Sequence, residues 1–425
     1  MAHHPDGTLR ALACIHVDDT RYCGDATSEE IWKKVHQCLN FGEVRKATDG
    51  WVKFCGRWER QDPVTMEFEY SMDEYAKDLQ KVKLLETYKL DPKEVAKEED
   101  LLRKGKMTVE EFTHGTTQKR QPTSLTSEMR LAMSSILGQL NWMARQGRYD
   151  IAYGVSHVQQ LMNREPAEAL DFLNKVIYRA WQPMTQKVKK LRDWQNLVVI
   201  SASDAAFGAQ PGGYSQGGLL VGLAEPEILE GEAQLVVIEA ASMKIQRVVR
   251  CSMSAEVSMA ATAFEHGDFI RAALSEIIHG KFILKDWKLW ANRWRHFLVI
   301  DAKTGFDVLT SECQTSDRKI QIDLAVLKQA LLEDRSNAFA RWVPGHHMIS
   351  DGLTKWFGNK ALQKALVEGL WSLKDTAEAI GLRQTAAEQR RRLKDKRTDK
   401  GGMCDCKACP YPIGGLSWQV SCRCG

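Results

Sequence analysis

Four acidic residues in the second half of the sequence have the types and positions of metal-binding carboxylates. Asp204 follows the apolar run LVVISAS at 197–203, and Asp301 ends the apolar run FLVID. Glu256 lies near the start of a predicted long helix, and Asp351 begins the last predicted helix. Taken singly, each acid also suits a structural role as a turn residue, an N-cap or a partner of a helix dipole.

Taken together, the four acids predict a metal centre. Strand ends and helix starts meet at one edge of an α/β sheet, so we expect the four carboxylates in one pocket, where they repel unless divalent cations neutralise them. Oxygen ligands of this kind suit Mg²⁺ or Mn²⁺. Two such ions about 4 Å apart are a standard arrangement for phosphodiester cleavage. His346 is a candidate to carry protons near the leaving oxygen, with a polar loop as the alternative.

A second pair of acids, Asp18 and Asp19, lies near the start of the chain in CIHVDDTRYCGD (14–25). The apolar residues between Leu12 and Val17 predict a buried strand that ends in two like charges. Paired carboxylates in such a position are costly unless a cation or hydrogen-bond donors compensate them, which indicates a second candidate metal site. A polar hairpin turn is the alternative that this stretch leaves open.

The elements that must position the four acids follow residue 195. Strands are predicted at 197–203, 214–224, 234–243, 296–302 and 337–344, and helices at 254–279, at 320–333 and from 350. Three strands in a meander, followed by alternating helices and strands, predict a mixed five-stranded sheet with flanking helices.

The residues before 195 predict smaller and largely helical units. Apolar residues between Met133 and Ala144 recur at helical spacing, two further helices follow, and the basic run QKVKKLRDW (186–194) closes this helical section. Residues 69–90 also have helical spacing, and the charged stretch 97–124 is typical of a linker. We therefore expect an α+β or α/β protein with several domains.

Composition limits the classes of protein. The chain has 425 residues, which predicts two or three domains, and its 44% hydrophobic and 27% charged residues are ordinary for a globular protein. The net charge of +4 permits nucleic-acid binding without requiring it. No apolar run reaches the length of a membrane span, and the start MAHHPDG has no signal-peptide core. We expect an intracellular protein, cytoplasmic or nuclear, with no membrane partner.

The 11 cysteines are unevenly distributed, and five of them lie in the tail: Cys404, Cys406, Cys409, Cys422 and Cys424. Four thiolates from this set would suit one tetrahedral Zn²⁺ ion, although their spacing differs from the usual zinc-finger patterns. A cysteine-rich tail without a function is the alternative. A disulfide framework is disfavoured because nothing places the chain outside the cell.

The order of the four acids along strands and helices resembles that of ribonuclease H, and the local sequences resemble the ribonuclease H of copia-type retrotransposon Pol polyproteins. SASDAAFGAQPGGYSQGGLLVGL is similar to the family's Asp-containing strand and its Gly-containing second strand. CSMSAEVSMAA resembles its helix start, with Glu256 at the catalytic glutamate. VIDAKTGFDVL resembles its Cys-Asp-Asn-x-x-Ala strand end, and SDGLTKWF resembles its Ala-Asp-x-Leu-Thr-Lys signature.

Two earlier segments are also similar to this family. SSILGQLNWMARQGRYDIAYGVSHVQQLMNREP resembles the segment that links the polymerase to ribonuclease H, and HVDD (16–19) resembles the reverse-transcriptase Tyr-Val-Asp-Asp hairpin. The resemblance covers residues 10–370 and implies that Asp18 and Asp19 are half of a polymerase metal site. Because the other half would lie upstream, it implies no DNA synthesis by this chain alone and, as a partner, the upstream part of a Pol polyprotein.

The resemblance implies five segments. They are a remnant of the polymerase palm with the start of the thumb (1–95), a polar linker (96–125), a helical connection (126–194), a ribonuclease H-like domain (195–375) and a basic, cysteine-rich tail (376–425). The sequence departs from the family at His16, Tyr149, Val257 and Ala302, where the family has Tyr, Pro, Tyr and Asn.

The expected activity is Mg²⁺-dependent hydrolysis of the RNA strand of RNA–DNA hybrids, with Asp204, Glu256, Asp301 and Asp351 as metal ligands. The alternative is an inactive relic of the element that binds only nucleic acid or protein. A third interpretation is an unrelated metal-dependent nuclease of the same fold, which would cut without preference for hybrids.

Overall fold

The computed structural model describes residues 1–39, 41–80, 92–108, 125–280, 282–311, 320–332, 336–357 and 360–374. These residues belong to one compact unit, Met1–Ile380. The domain boundaries predicted within this unit stay predictions. The candidate zinc ligands in the tail, Cys404, Cys406, Cys409, Cys422 and Cys424, lie outside the described residues. No described helix is both long enough and apolar enough to span a bilayer.

Two small antiparallel sheets precede the main one. The first has the order β1 (Ala2–His3), β2 (Leu9–His16), β3 (Asp19–Gly24), and the second has the order β4 (Val52–Phe54), β5 (Arg57–Gln61), β6 (Phe68–Ser71), β7 (Thr185–Val188).

Strand β7 corrects the expectation that the run 186–194 closes a purely helical section. Thr185 pairs with Ser71 of β6. The side chains alternate as in a strand, because Gln186 is buried and accepts a hydrogen bond from the Tyr70 hydroxyl at 2.6 Å, whereas Lys187 is exposed.

The strand predicted between Leu12 and Val17 forms as part of β2, but the prediction that it is buried is wrong. Only Ala11 of this strand is buried, and Ile15 is 72% exposed. An alternation of apolar residues shows that one face of a strand is apolar, whereas burial also requires a second layer to pack on that face.

Helices form much of the chain before the main sheet. They are α1 (Glu29–Cys38), α2 (Asp73–Lys77), α3 (Pro92–Arg103), α4 (Ser127–Arg145), α5 (Ala152–Leu161) and α6 (Pro166–Trp181). Thr126 caps α4 by accepting a hydrogen bond from the backbone of Met129. The apolar stripe predicted between Met133 and Ala144 is buried, and Leu102 of α3, within the predicted linker, is fully buried.

The main sheet is mixed, as predicted, and has six strands instead of five. In spatial order they are β12 (Ala338–Trp342), β11 (Arg295–Ile300), β8 (Val198–Gln210), β9 (Tyr214–Ala224), β10 (Glu232–Lys244) and β13 (Leu370–Ser372). Strands β8, β9 and β10 form an antiparallel meander, and β11 and β12 run parallel to β8. The sixth strand, β13, is a short edge strand antiparallel to β10.

Helices flank this sheet and connect its strands: α7 (Ser252–Ile278), α8 (Trp287–Ala291), α9 (Lys303–Thr310), α10 (Gln321–Leu332) and α11 (Lys360–Val367). The helix predicted from 350 is instead a 3₁₀ turn, Ile349–Leu353, that precedes α11. This turn matters for the site, because it carries Asp351.

The two faces of the sheet are covered by different parts of the chain. Ile200 of β8 shares one hydrophobic core with Leu140 of α4 and Leu173 of α6. On the opposite face, Gly267 of α7 packs directly against the side chain of Ser201. The helices of the predicted connection are therefore a layer of the same fold as the sheet.

Candidate metal centre

Three of the four predicted acids converge. Asp204 lies on β8, Glu256 lies near the N-terminus of α7, and Asp301 directly follows β11. One carboxylate oxygen of each lies within 4.8 Å of the others. Among the described residues, no other set of three or more His, Cys, Asp or Glu side chains comes as close.

Sheet register explains why two of these acids meet. Strands β8 and β11 are parallel neighbours, and Ala202 pairs with Val299. Two residues further on, Asp204 and Asp301 therefore reach the same level at the same edge of the sheet. Glu256 joins them from the first turns of α7, close to the backbone of Ala205.

Burial dominates the electrostatics of the three acids. Asp204 is 4% exposed and Glu256 is 9% exposed. Burial, reinforced by the neighbouring carboxylates, raises the pKa of Asp204 to about 7 and that of Glu256 to about 9. Burial also raises the pKa of Asp301, and the charge of Asp351 adds to this effect. The site therefore favours any species that brings positive charge to these oxygens.

A divalent cation fits this donor set. The Oε2 atom of Glu256 is buried and has no hydrogen-bond partner. An unpaired buried carboxylate oxygen is costly, and a metal ion would compensate it. Three carboxylates are hard oxygen ligands, which suit Mg²⁺ or Mn²⁺ rather than Zn²⁺. Asp204, Glu256 and Asp301 are the residues that would hold such an ion.

Asp351 is not part of the group of three. It lies in the turn Ile349–Leu353, and its Oδ1 atom is 2.8 Å from Nζ of Lys355. Its negative charge nevertheless raises the pKa of Asp204 and of Asp301. Asp351 therefore lies beside the centre, already paired with a cation of the chain itself.

Two residues directly after this turn, Thr354 and Lys355, were missed as functional candidates. The hydroxyl of Thr354 donates a hydrogen bond to Oδ2 of Asp204. Burial alone would lower the pKa of Lys355, but its hydrogen bond to Asp351 and the charges of the acids raise it. Both residues belong to SDGLTKWF, so the resemblance of this segment to the Ala-Asp-x-Leu-Thr-Lys signature could have identified them.

Adjacent glycines on β9 allow this packing. Gly218 pairs with Asp204, and a Cβ atom at Gly218 would lie 3.0 Å from the Thr354 side chain. At Gly217, which points to the opposite face, a Cβ atom would overlap Met259 of α7. The Gly-Gly pair thus lets the turn and the helix approach the sheet from both sides.

His346 is exposed in the 3₁₀ turn Gly345–His347, where its ring centroid lies 4.3 Å from that of His347. A Cβ atom at Gly345 would lie 3.5 Å from Oδ2 of Asp301. The loop that carries His346 therefore borders the centre, and its proton-transfer role stays a prediction.

The second predicted acid pair, Asp18 and Asp19, lies on an exposed hairpin and not in a buried site. Asp18 and Asp19 are exposed at the tip of the β2–β3 hairpin, where His16 pairs with Asp19. Val17 at this tip has a φ of 53°, which is unusual for a β-branched residue. No described His, Cys, Asp or Glu completes a group of three ligands with this pair. Its assignment to half of a polymerase site stays a prediction.

No protein-family profile and no curated protein matches the sequence. Among solved structures, the chain is similar to LC11-RNase H1, isolated from compost by a metagenomic approach, with 13% identity, a TM-score of 0.26 and coverage of 40% of this chain and 98% of that chain. It is also similar to an N-terminal RNase H domain from Mycobacterium tuberculosis, solved as a fusion with maltose-binding protein, with 15% identity, a TM-score of 0.26 and coverage of 40% and 99%. Likeness at such TM-scores carries no argument about function, so the proposal below rests on the chain's own residues.

Proposed function

We propose that this chain is a Mg²⁺-dependent ribonuclease H, which hydrolyses the RNA strand of RNA–DNA hybrids. The observation that carries the proposal is the approach of Asp204, Glu256 and Asp301 to within 4.8 Å of one another. Three carboxylates at this separation, of which Asp204 and Glu256 are buried, are costly without a cation. Hydrolysis of phosphodiesters is the chemistry that such oxygen-ligated ions support. The motif resemblance described above supplies the substrate class.

The three carboxylates would bind the ion through one oxygen each. Bound Mg²⁺ would supply Lewis-acid polarisation of the scissile phosphate and a lower pKa for the attacking water. Thr354 orients Asp204, since its hydroxyl donates to Oδ2 of that carboxylate.

Two basic side chains complete the site. Nζ of Lys355, held 2.8 Å from Oδ1 of Asp351, places a positive charge beside the acids, where it would attract a phosphate oxygen of the substrate. His346 is exposed and directly follows Gly345, whose backbone borders Asp301. It would protonate the departing oxygen after the P–O bond breaks.

The proposal is tested by cleavage of an end-labelled RNA–DNA hybrid by the purified chain with Mg²⁺ and with EDTA. We expect Mg²⁺-dependent cleavage of the RNA strand, and its loss in Asp204→Asn and in Glu256→Gln. Glu276→Gln is a matched control, because Glu276 is exposed on the same helix, α7, and this variant should keep full activity.

Each other outcome would overturn the proposal in a different way. Equal cleavage by the wild type and Asp204→Asn would reject the metal centre. Salt-sensitive hybrid binding without turnover would favour an inactive relic that only binds nucleic acid. Equal cleavage of hybrid, single-stranded RNA and duplex DNA would favour an unrelated metal-dependent nuclease.

A further inference from the structure

A polar groove of about 530 Å³ lies between helices α4 and α5 and the end of strand β10. We call it the amide groove. No aspartate or glutamate lines it. Its lining includes three cations and five exposed or half-exposed amides: Arg145, Arg164, Lys244, Asn141, Gln159, Gln160, Asn163 and Gln246. Such a surface attracts a polyanion and offers it hydrogen-bond donors.

The groove is close to the metal centre. Asp204, Gly218 and Ser242 are paired across the neighbouring strands β8, β9 and β10, and Ser242 lines the groove. Two strand spacings separate Asp204 from Ser242 along the sheet, roughly 10 Å. A nucleic-acid strand advances about 3.4 Å per nucleotide, so this separation corresponds to roughly three nucleotides.

Hydrogen bonds connect the two sites through one turn. The Ser242 hydroxyl donates to the backbone oxygen of Leu353, and the next residue, Thr354, donates to Asp204. Gln160 also lines the groove, and its Oε1 atom is buried without a hydrogen-bond partner.

Two of the cations are held in place before any ligand binds. Arg164 donates to the backbone oxygen of Pro211 at 2.9 Å and lies 5.0 Å from the ring centroid of Tyr214, and Lys244 contacts the same ring. Gly212 leaves the space that the Arg164 guanidinium occupies. A pre-organised cation loses less conformational entropy when it binds a phosphate.

We propose that the amide groove binds the sugar–phosphate backbone of one substrate strand, roughly three nucleotides from the cleaved bond. The inference rests on the proposed function for its substrate class. It extends that function, because helices α4 and α5 then contribute directly to substrate positioning. The neutral amides favour a nucleic-acid backbone, whose sugars and phosphates accept their hydrogen bonds.

The test measures hybrid binding without turnover. The full chain carrying Asp204→Asn is titrated with a fluorescent RNA–DNA hybrid over a range of salt concentrations, and the slope of log affinity against log salt is determined. Arg145→Ala/Lys244→Ala should lower this slope by about two, since each phosphate contact contributes about one. The matched pair Lys34→Ala/Lys285→Ala, at exposed positions outside the groove, should leave the slope unchanged.

A second pair of substitutions guards against a folding defect. Gln159 and Asn163 are exposed, and Gln159→Glu/Asn163→Asp adds two negative charges with almost no change in size. This variant should also weaken hybrid binding. Unchanged binding in both groove variants would overturn the inference, as would competition by polyglutamate as strong as that by the hybrid, which would assign the groove to an acidic peptide.

The two proposals fail separately. If the wild type cleaves hybrids and the groove variants bind them normally, the groove assignment is wrong and the proposed function stands. If the groove variants lose binding and the wild type does not cleave, the proposed function is wrong, and the groove still binds a nucleic-acid backbone but positions no cleaved bond.

Discussion

The candidate metal centre and the tip of the β2–β3 hairpin both carry acids that the sequence places at the ends of predicted strands, yet their surroundings differ. Asp204 is 4% exposed and meets two carboxylates from other segments, whereas Asp18 and Asp19 are exposed and adjacent only in sequence. Burial raises the pKa of Asp204 to about 7. The comparison indicates that acids form a candidate metal-binding set when separate elements cover them and supply further oxygens.

The largest expected effect separates the two regions by activity. Under the proposed function, Asp301→Asn should reduce the rate of hybrid cleavage on the order of a thousandfold, because the proposed ion would lose a ligand and metal catalysis contributes several kcal/mol. The double variant Asp18→Asn/Asp19→Asn should retain the wild-type rate. Single-turnover cleavage rates at saturating Mg²⁺ measure both.

The comparison would break if the hairpin variant lost as much activity as Asp301→Asn. Such a result would mean that the exposed pair contributes to the same reaction. A fully active Asp301→Asn would show instead that the reaction does not depend on the group of three.

Much of the fold could be predicted from the sequence because periodicity and turn residues report local structure. The pattern located β9 at its observed bounds, Tyr214–Ala224, and α7 to within two residues of Ser252–Ile278. It missed β7, since TQKV is only four residues long, adjoins the basic run and becomes a strand only by pairing with β6. It also missed β13, three residues at an edge of the main sheet.

The acids of the candidate site could be predicted from local sequence, but their partners could not. Residue type and position at strand ends singled out Asp204 and Asp301, whose proximity follows from parallel register. Asp351 pairs with Lys355 next to a tight 3₁₀ turn, Ile349–Leu353, whereas the sequence predicted a helix from residue 350. The amide groove was not predictable, because its walls come from α4, α5 and β10, which no local pattern brings together.

An effect on stability instead of rate sharpens the electrostatic side of the comparison. Without metal, the folded protein keeps protons on Asp204 and Glu256 up to about pH 7 and pH 9, whereas the ordinary pKa values are 3.8 and 4.5. Because the folded state binds more protons, its free energy of unfolding should fall as pH rises through this window. For each acid, the loss amounts to about 1.4 kcal/mol per pH unit between its ordinary and its raised pKa.

Denaturant unfolding from pH 4 to pH 9, with EDTA and with Mg²⁺, measures this dependence. Mg²⁺ should restore stability most at high pH, where the acids release their protons to bind it. Glu256→Gln should flatten the EDTA curve, and Asp18→Asn should leave its shape unchanged. A metal-free stability that rises between pH 5 and pH 9 would contradict the raised pKa values.

The smallest effect concerns the backbone of the hairpin. Val17 is 83% exposed and has a φ of 53°, a region that β-branched residues rarely occupy. Val17→Gly should relieve this strain, partly offset by the greater freedom of glycine in the unfolded chain, for a net stabilisation of about 0.5–1 kcal/mol. Hydrogen exchange of the β2 and β3 amides measures it locally, since a hairpin opens without global unfolding.

Ile15→Gly is the matched control for this last prediction, because Ile15 is also exposed and apolar but lies within β2. Glycine inside a strand loses backbone entropy and cross-strand contacts, so this variant should speed exchange of the same amides. Opposite signs at two residues of one hairpin would show that the strain is confined to its tip. If Val17→Gly also speeds exchange, the tip conformation is not strained, and the hairpin differs from the metal centre only in burial and in the number of acids that meet there.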